Sequence, residues 1–306
     1  MRIVFFGTPE FAVPTLDAVA AAHEIALVVA QPDRPAGRGM KLQKPPVALR
    51  AAELGLPLAQ PAKIRGEAFL NQVDALAPDA GLVIAYGRIL PARLLEIPKH
   101  GFLNVHASLL PKYRGAAPIQ RAIEAGETTT GATIMRVDEE LDHGPMLATA
   151  TIDIGPDERL PSVSRRLAER GAAALVETLA ALERGAAVET PQDHALATHA
   201  PKIEKEEGRI TFAESGRVIY NRFRAFDPWP GLFFESNGET IRIGEMTFGP
   251  GSAAAPRTIT AIDRSVHVAA AEGVVRLDQL QRPGRPRAVA GDVARGLGWR
   301  AGEPIP

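Results

Sequence analysis

Asn104 and His106, two residues apart in the run Phe102-Leu103-Asn104-Val105-His106, are the side chains best suited by type and spacing to handle an acyl group. A strand turns alternate residues to one face, and an open α/β sheet gathers its reactive groups at the carboxyl ends of its strands. An imidazole there exchanges protons near neutral pH. A carboxamide donates a hydrogen bond to a carbonyl oxygen as negative charge grows on it. Taken alone, the pair is equally consistent with two polar groups satisfied by neighbouring loops at a strand end. Its context favours chemistry. The polar, basic run Ser108-Leu109-Leu110-Pro111-Lys112-Tyr113-Arg114 follows at once, and Asp142 lies in a second strand-end loop, residues 137–145. A carboxylate near His106 would hold the ring and favour its protonated form.

These residues need a frame, and the first half of the chain supplies one. Apolar runs at residues 2–6, 24–30, 80–85 and 102–105 read as buried strands, and residues 8–22, 45–54 and 67–76 as the helices between them. The alternation predicts a doubly wound, mostly parallel Rossmann-like sheet with ligands beyond the strand ends. Gly7-Thr8-Pro9 after the first strand is not followed by GxGxxG, which argues against a dinucleotide site. Gly7 is expected to permit a tight turn, and Pro9 to occupy the first turn of the helix.

Residues 162–184 repeat apolar positions near a 3.6 period, predicting a long amphipathic helix stopped by Gly185. Residues 1–185 are thus expected to form one domain, 186–207 a connector of little periodicity, and 208–306 a smaller domain. In the last, a helix over 215–224 precedes the Pro-rich turn Asp227-Pro228-Trp229-Pro230-Gly231. Short alternating strands then follow near 232–235, 240–243, 258–262, 266–270 and 274–280, predicting a small β-barrel of OB-like type.

Composition narrows the function classes. The chain has no Cys, which removes disulfides and thiolate chemistry, and its seven His lack metal-binding spacing, so no metal is expected. No secretory signal and no long apolar run is evident, so cytoplasmic location without a membrane is the expectation. From Gly208 onward there are thirteen Arg, no Lys and ten acidic residues, a charge of +3 against −4 for the remainder. That excess is compatible with a polyanionic partner but is too small to identify one. The 31–44 stretch is a long, basic insertion after the second strand, with Arg34, Arg38, Lys41 and Lys44 against Asp33 alone. Beside the presumed site, it is suited to clamping an anion.

Asn104, His106, Ser108-Leu109-Leu110-Pro111 and Asp142 together resemble the signature of the folate-dependent formyltransferases. Within that family, residues 108–120 resemble the members that act on methionyl-tRNA. The resemblance extends through Gly7-Thr8-Pro9, residues 31–39, Ala85-Tyr86-Gly87, residues 202–207 and residues 224–230. It implies a formyl transfer from 10-formyltetrahydrofolate to the amine of initiator Met-tRNA. Asn104 and His106 would act on the formyl carbon and Asp142 would tune His106. Tyr86, Gly87 and Leu90 would line the pterin site with residues 138–142, and Ser108, Leu109, Leu110 and Pro111 would help form the folate pocket. The 31–44 loop would meet the acceptor arm, with Arg38 at the position of a functionally important Arg. Arg282, Arg285 and Arg287 of the smaller domain would contact phosphates without reading bases. Trp229 is expected to pack between elements, and a monomer is expected. Ala107 and His143 depart from the usual Gly and small or hydroxylic residues. The first is harmless if its φ is negative, and the second is expected to be an exposed loop residue. A sugar-amine formyltransferase shares the polar trio, a folate deformylase lacks need of a basic surface, and a noncatalytic RNA-binding or folate-sensing protein would not need the trio.

Overall fold

Buried on both faces, a parallel sheet requires nearly continuous apolar strands, and Ile3, Val4, Phe5 and Phe6 are all fully buried. The computed structural model describes residues 1–36 and 41–306, with backbone alone at Ala36 and Lys41. It divides into two compact units. One takes in Met1–Pro118, Thr129–Asp153 and Ser164–Ala200, the other Ile119–Thr128, Ile154–Val163 and Pro201–Pro306.

Up to Ala200 the strands are β1 (Arg2–Gly7), β2 (Glu24–Val29), β3 (Arg34–Ala36), β4 (Lys41–Gln43), β5 (Leu58–Ala59), β6 (Ala80–Ile84), β7 (Phe102–His106), β8 (Arg114–Gly115), β9 (Thr129–Arg136), β10 (Met146–Asp153) and β11 (His199–Ala200). The helices are α1 (Val13–Ala22), α2 (Pro46–Glu53), α3 (Glu67–Asp74), α4 (Ala92–Leu95), α5 (Pro118–Glu124) and α6 (Leu160–Glu183). The main sheet has the order β10-β9-β7-β6-β1-β2-β5. Five strands are parallel, while β9 runs antiparallel to β7 and β10 antiparallel to β9. A core of Val4, Phe6, Leu27, Val29, Phe69, Tyr86 and Phe102 fills one face. There Phe6 meets Phe69, Tyr86 and Phe102 edge-on at 6.3, 5.3 and 5.5 Å, the preferred geometry for aromatic quadrupoles.

The turn after β1 differs from its sequence-based expectation. Pro9 caps a short 3-10 turn, Glu10–Ala12, in extended conformation, and Pro14 is the proline in the first turn of α1. Gly7 is required for space. A Cβ there would lie 2.7 Å from the Phe5 ring and 3.3 Å from the Ile84 carbonyl oxygen. The 31–44 stretch, expected as a loop, carries the antiparallel hairpin β3–β4.

The second unit carries α7 (Gly216–Ala225), then β12 (Phe233–Ser236), β13 (Glu239–Gly249), β14 (Ile259–Ile262), β15 (Val266–Ala269), β16 (Val274–Gln281) and β17 (Ala288–Val289), and finally α8 (Ala290–Gly296). Its antiparallel sheet has the order β12-β13-β16-β15-β14, with β17 beside β16, and curls into a half-barrel. The Arg224 side chain is buried and donates to the carbonyls of Gly155 and Glu158 and to Asn221 Oδ1. Burial lowers its pKa from the ordinary arginine value. The Arg224–Pro230 block therefore has a structural use, whereas Trp229 within it is 52% exposed rather than packed.

Candidate active site

β7 lies between β6 and β9, with Asn104 paired to Val83 on one side and Met135 on the other. The sheet fixes the backbone of both polar residues and leaves their side chains to the loops. Asn104 is half-buried, and among the described residues its carboxamide makes no hydrogen bond. Its donor is therefore free, among the described residues, to meet an oxygen that gains negative charge.

His106 is held differently. It is buried at 5% exposure, and its Nε2 lies 2.9 Å from the carbonyl oxygen of Tyr113. A carbonyl only accepts, so Nε2 carries a proton and donates it there. The other nitrogen, Nδ1, faces Asp142 Oδ2 at 3.6 Å, within ion-pair range and beyond a direct hydrogen bond. Tyr113 has a φ of 61°, and its N–H donates to Thr198 Oγ1 at 2.8 Å. The carbonyl that orients His106 is itself anchored.

Asp142 reaches this position by an indirect path. The register pairs His106 with Thr133 and Leu103 with Arg136, so the 137–145 loop leaves β9 beside the start of β7. It must fold back to bring Asp142 to His106. Asp142 is buried at 9% exposure with a φ of 52°, and its Oδ2 accepts the N–H of Gly115 at 2.8 Å. Gly144 makes the return possible, because a Cβ there would stand 2.1 Å from the Arg136 carbonyl oxygen.

The expected folate residues divide into two groups. Ser108 is fully buried, with its hydroxyl donating to Lys112 O at 2.6 Å and its carbonyl accepting from Thr133 Oγ1 at 2.7 Å. Leu110 is buried and its N–H donates to the same Thr133 hydroxyl, while Leu109 and Pro111 are part-exposed. The side chains of Tyr86 and Leu90 belong to the apolar core. Burial raises the pKa of the Tyr86 phenol, whose hydroxyl has no hydrogen-bond partner among the described residues. Tyr86 O accepts from Thr8 and Gln31. What this loop offers to solvent is Gly87, with a φ of 83°, and Ile89. Leu141 of the 137–145 loop is also exposed.

Ala107 is not among the residues of positive φ. His143 is pinned rather than free, with Nδ1 at 3.0 Å from Asp138 Oδ2 and its ring stacked on His194 at 4.1 Å. Arg34 is exposed, with one contact to Gln31 at 3.4 Å, and Lys44 is exposed. Arg38 and the side chain of Lys41 lie outside the described residues. In the second unit, Arg282 forks Glu239 at 2.9 and 2.7 Å, while Arg285 and Arg287 are exposed. That pair raises the pKa of Arg282 and lowers that of Glu239. No group of three or more potential metal ligands occurs among the described residues.

The sequence profile of formyl transferase matches residues 1–179, and that of the formyl transferase C-terminal domain matches residues 202–298. A methionyl-tRNA formyltransferase of Acidobacterium capsulatum is 47% identical over 300 residues, 97% of this chain and 96% of that protein. Among solved structures, the sugar 3N-formyl transferase WlaRD superposes with a TM-score of 0.68 at 14% identity, over 94% of this chain and 99% of that one. HypX from Aquifex aeolicus in complex with tetrahydrofolic acid superposes with a TM-score of 0.64 at 18% identity, over 98% of this chain and 48% of HypX, so this chain spans about half of that protein's length. Both structural likenesses show a shared fold. With profiles covering nearly its whole length and a full-length relative at such identity, this chain belongs to the formyl transferase family.

Proposed function

We propose that this chain transfers the formyl group of 10-formyltetrahydrofolate to the α-amino group of methionine on initiator tRNA, giving formyl-Met-tRNA and tetrahydrofolate. The observation that carries the chemistry is one unpartnered carboxamide, Asn104, on the same strand face as an imidazole whose Nδ1 faces a buried carboxylate. The choice of acceptor rests on the full-length methionyl-tRNA formyltransferase relative at 47% identity, against 14% for the sugar enzyme.

10-Formyltetrahydrofolate supplies the formyl carbon and leaves as tetrahydrofolate. The attacking amine must be neutral, and as it bonds to that carbon the carbonyl oxygen gains charge. Asn104 donates a hydrogen bond to this oxygen. The amine must lose a proton and the departing folate nitrogen must gain one. Nδ1 of His106 and the carboxylate of Asp142 form the relay between them, because Nε2 is occupied by the Tyr113 carbonyl. Gly115 N–H holds the carboxylate. The 86–90 and 138–142 loops seat the pterin, offering it exposed Gly87, Ile89 and Leu141, with Leu109 and Pro111 toward the folate tail. The 31–44 stretch, through Arg34, Arg38, Lys41 and Lys44, receives the acceptor arm. Arg285 and Arg287 contact phosphates elsewhere on the tRNA. Arg282 contributes less there, since Glu239 already neutralises it. The enzyme works as a cytoplasmic monomer.

The test is transfer of radiolabelled formyl from 10-formyltetrahydrofolate to charged initiator tRNA by the wild type and by His106→Ala. Labelled formyl-Met-tRNA from the wild type, formed at least about 100-fold more slowly by the variant, is expected. No transfer by the wild type would overturn the reading.

A further inference from the structure

We propose that Gln192, in the stretch between the two profile matches, is a positioning residue for Asp142, an assignment that rests on the formyl-transfer reading above. Gln192 is 5% exposed, and all four of its hydrogen-bonding sites are used. Its Nε2 donates to the carbonyl oxygens of Asp142 at 2.9 Å and of Gly144 at 2.8 Å. Its Oε1 accepts from Arg114 Nε at 3.1 Å and Nη2 at 2.6 Å. One carboxamide therefore ties two peptide groups of the Asp142 loop to the strand residue that precedes Gly115.

The tie matters because of how Asp142 arrives. Its loop leaves the sheet beside Leu103 and folds back, and Asp142 sits in the left-handed region that residues with a Cβ disfavour. Such a conformation persists only where its surroundings over-determine it. Gly115 N–H fixes the carboxylate and Gln192 fixes the peptide group behind it. Thr190 brings Gln192 to the place, exchanging two 2.8 Å backbone hydrogen bonds with Met146 at the end of the same loop. The guanidinium of Arg114 is thereby engaged inside the protein, by Gln192 and by His194 Nδ1 at 2.8 Å. Loss of the Gln192 donors would let the carboxylate drift relative to His106 Nδ1, and displacements near 1 Å cost about 100-fold in rate.

Gln192→Glu keeps the length and the acceptor for Arg114 but sets a carboxylate oxygen against two carbonyl oxygens. In steady-state transfer, kcat is expected to fall by about 100-fold with KM for the donor little changed, and the pH profile of kcat is expected to shift. In an Asp142→Asn background the same substitution is expected to have almost no further effect, since residues acting through one group are non-additive. A folded Gln192→Glu with wild-type kcat, or an undiminished loss on top of Asp142→Asn, would overturn the assignment. Gln192→Met is the second variant. Failure of both Gln192→Glu and Gln192→Met to fold would make the residue a structural one and overturn it as well. Wild-type transfer in the same assay separates these outcomes from a failure of the formyl-transfer reading.

Discussion

Asn104 and His106 stand on one strand, yet among the described residues one side chain is left without a hydrogen-bond partner and the other is tied at Nε2. The difference predicts different losses. Asn104→Ala removes an oxyanion donor and should lower kcat by roughly 10²–10³. His106→Ala removes the relay and should cost roughly 10²–10⁴. Both should leave the fold intact by circular dichroism; equal, small losses would contradict the division of roles. Tyr86 separates core from site. Tyr86→Phe deletes a hydroxyl that has no partner among the described residues, so stability should hold or rise by about 1 kcal/mol, with KM for the folate donor unchanged. A several-fold rise in that KM would place the phenol in the ligand site after all. The pair itself was legible because residue type and strand period are written in sequence. The Tyr113 carbonyl was not, because every residue has a carbonyl and only the folded loop shows which one is aimed.

At the scale of elements, β1, β2, β6 and β7 were legible as apolar runs, and α6 as a 3.6-residue period. β9 was not, since its burial on both faces is achieved with small and hydroxylic residues such as Gly131, Ala132 and Thr133 rather than an apolar run. Gly131 is needed because a Cβ there would stand 2.6 Å from the Ala150 carbonyl oxygen. Without β9 its antiparallel direction stays hidden, and with it the fold-back that carries Asp142. The stretch after α6 lacks periodicity because its order comes from partners. Thr190 pairs Met146, Thr198 anchors Tyr113, and β11 pairs β8. The β3–β4 hairpin is anchored at its base by Gln60, which donates to Gln31 O and Asp33 Oδ1 at 2.9 and 2.8 Å. Among the described cations of the 31–44 stretch, Arg34 and Lys44 are exposed. Arg34→Ala with Lys44→Ala should raise KM for tRNA and lower its salt slope by roughly one for each phosphate no longer neutralised. KM for the folate donor should not change, and an equal rise in both KM values would argue against a tRNA role.

At the scale of the whole molecule, resistance to acid rests in part on paired charge. Arg121 donates to Glu207 at 2.7 and 3.1 Å and to Glu124 at 2.8 Å. The hydrogen bond from Arg121 is the main cause that lowers the pKa of Glu207. A carboxyl lowered in the folded state stabilises it above the unfolded glutamate value of about 4.3, and that contribution disappears as pH falls through the folded value. Melting temperature should therefore drop more steeply below about pH 4.3 in the wild type than in Glu207→Gln, and identical slopes would contradict it. No helix among the described residues is long and apolar enough to cross a membrane. The choice of acceptor is decided by competition for one pool of labelled 10-formyltetrahydrofolate between charged initiator Met-tRNA and a nucleotide-linked amino sugar. A kcat/KM far higher for Met-tRNA is the predicted result. Preference for the sugar would contradict it, leaving the chain a formyltransferase of a different acceptor.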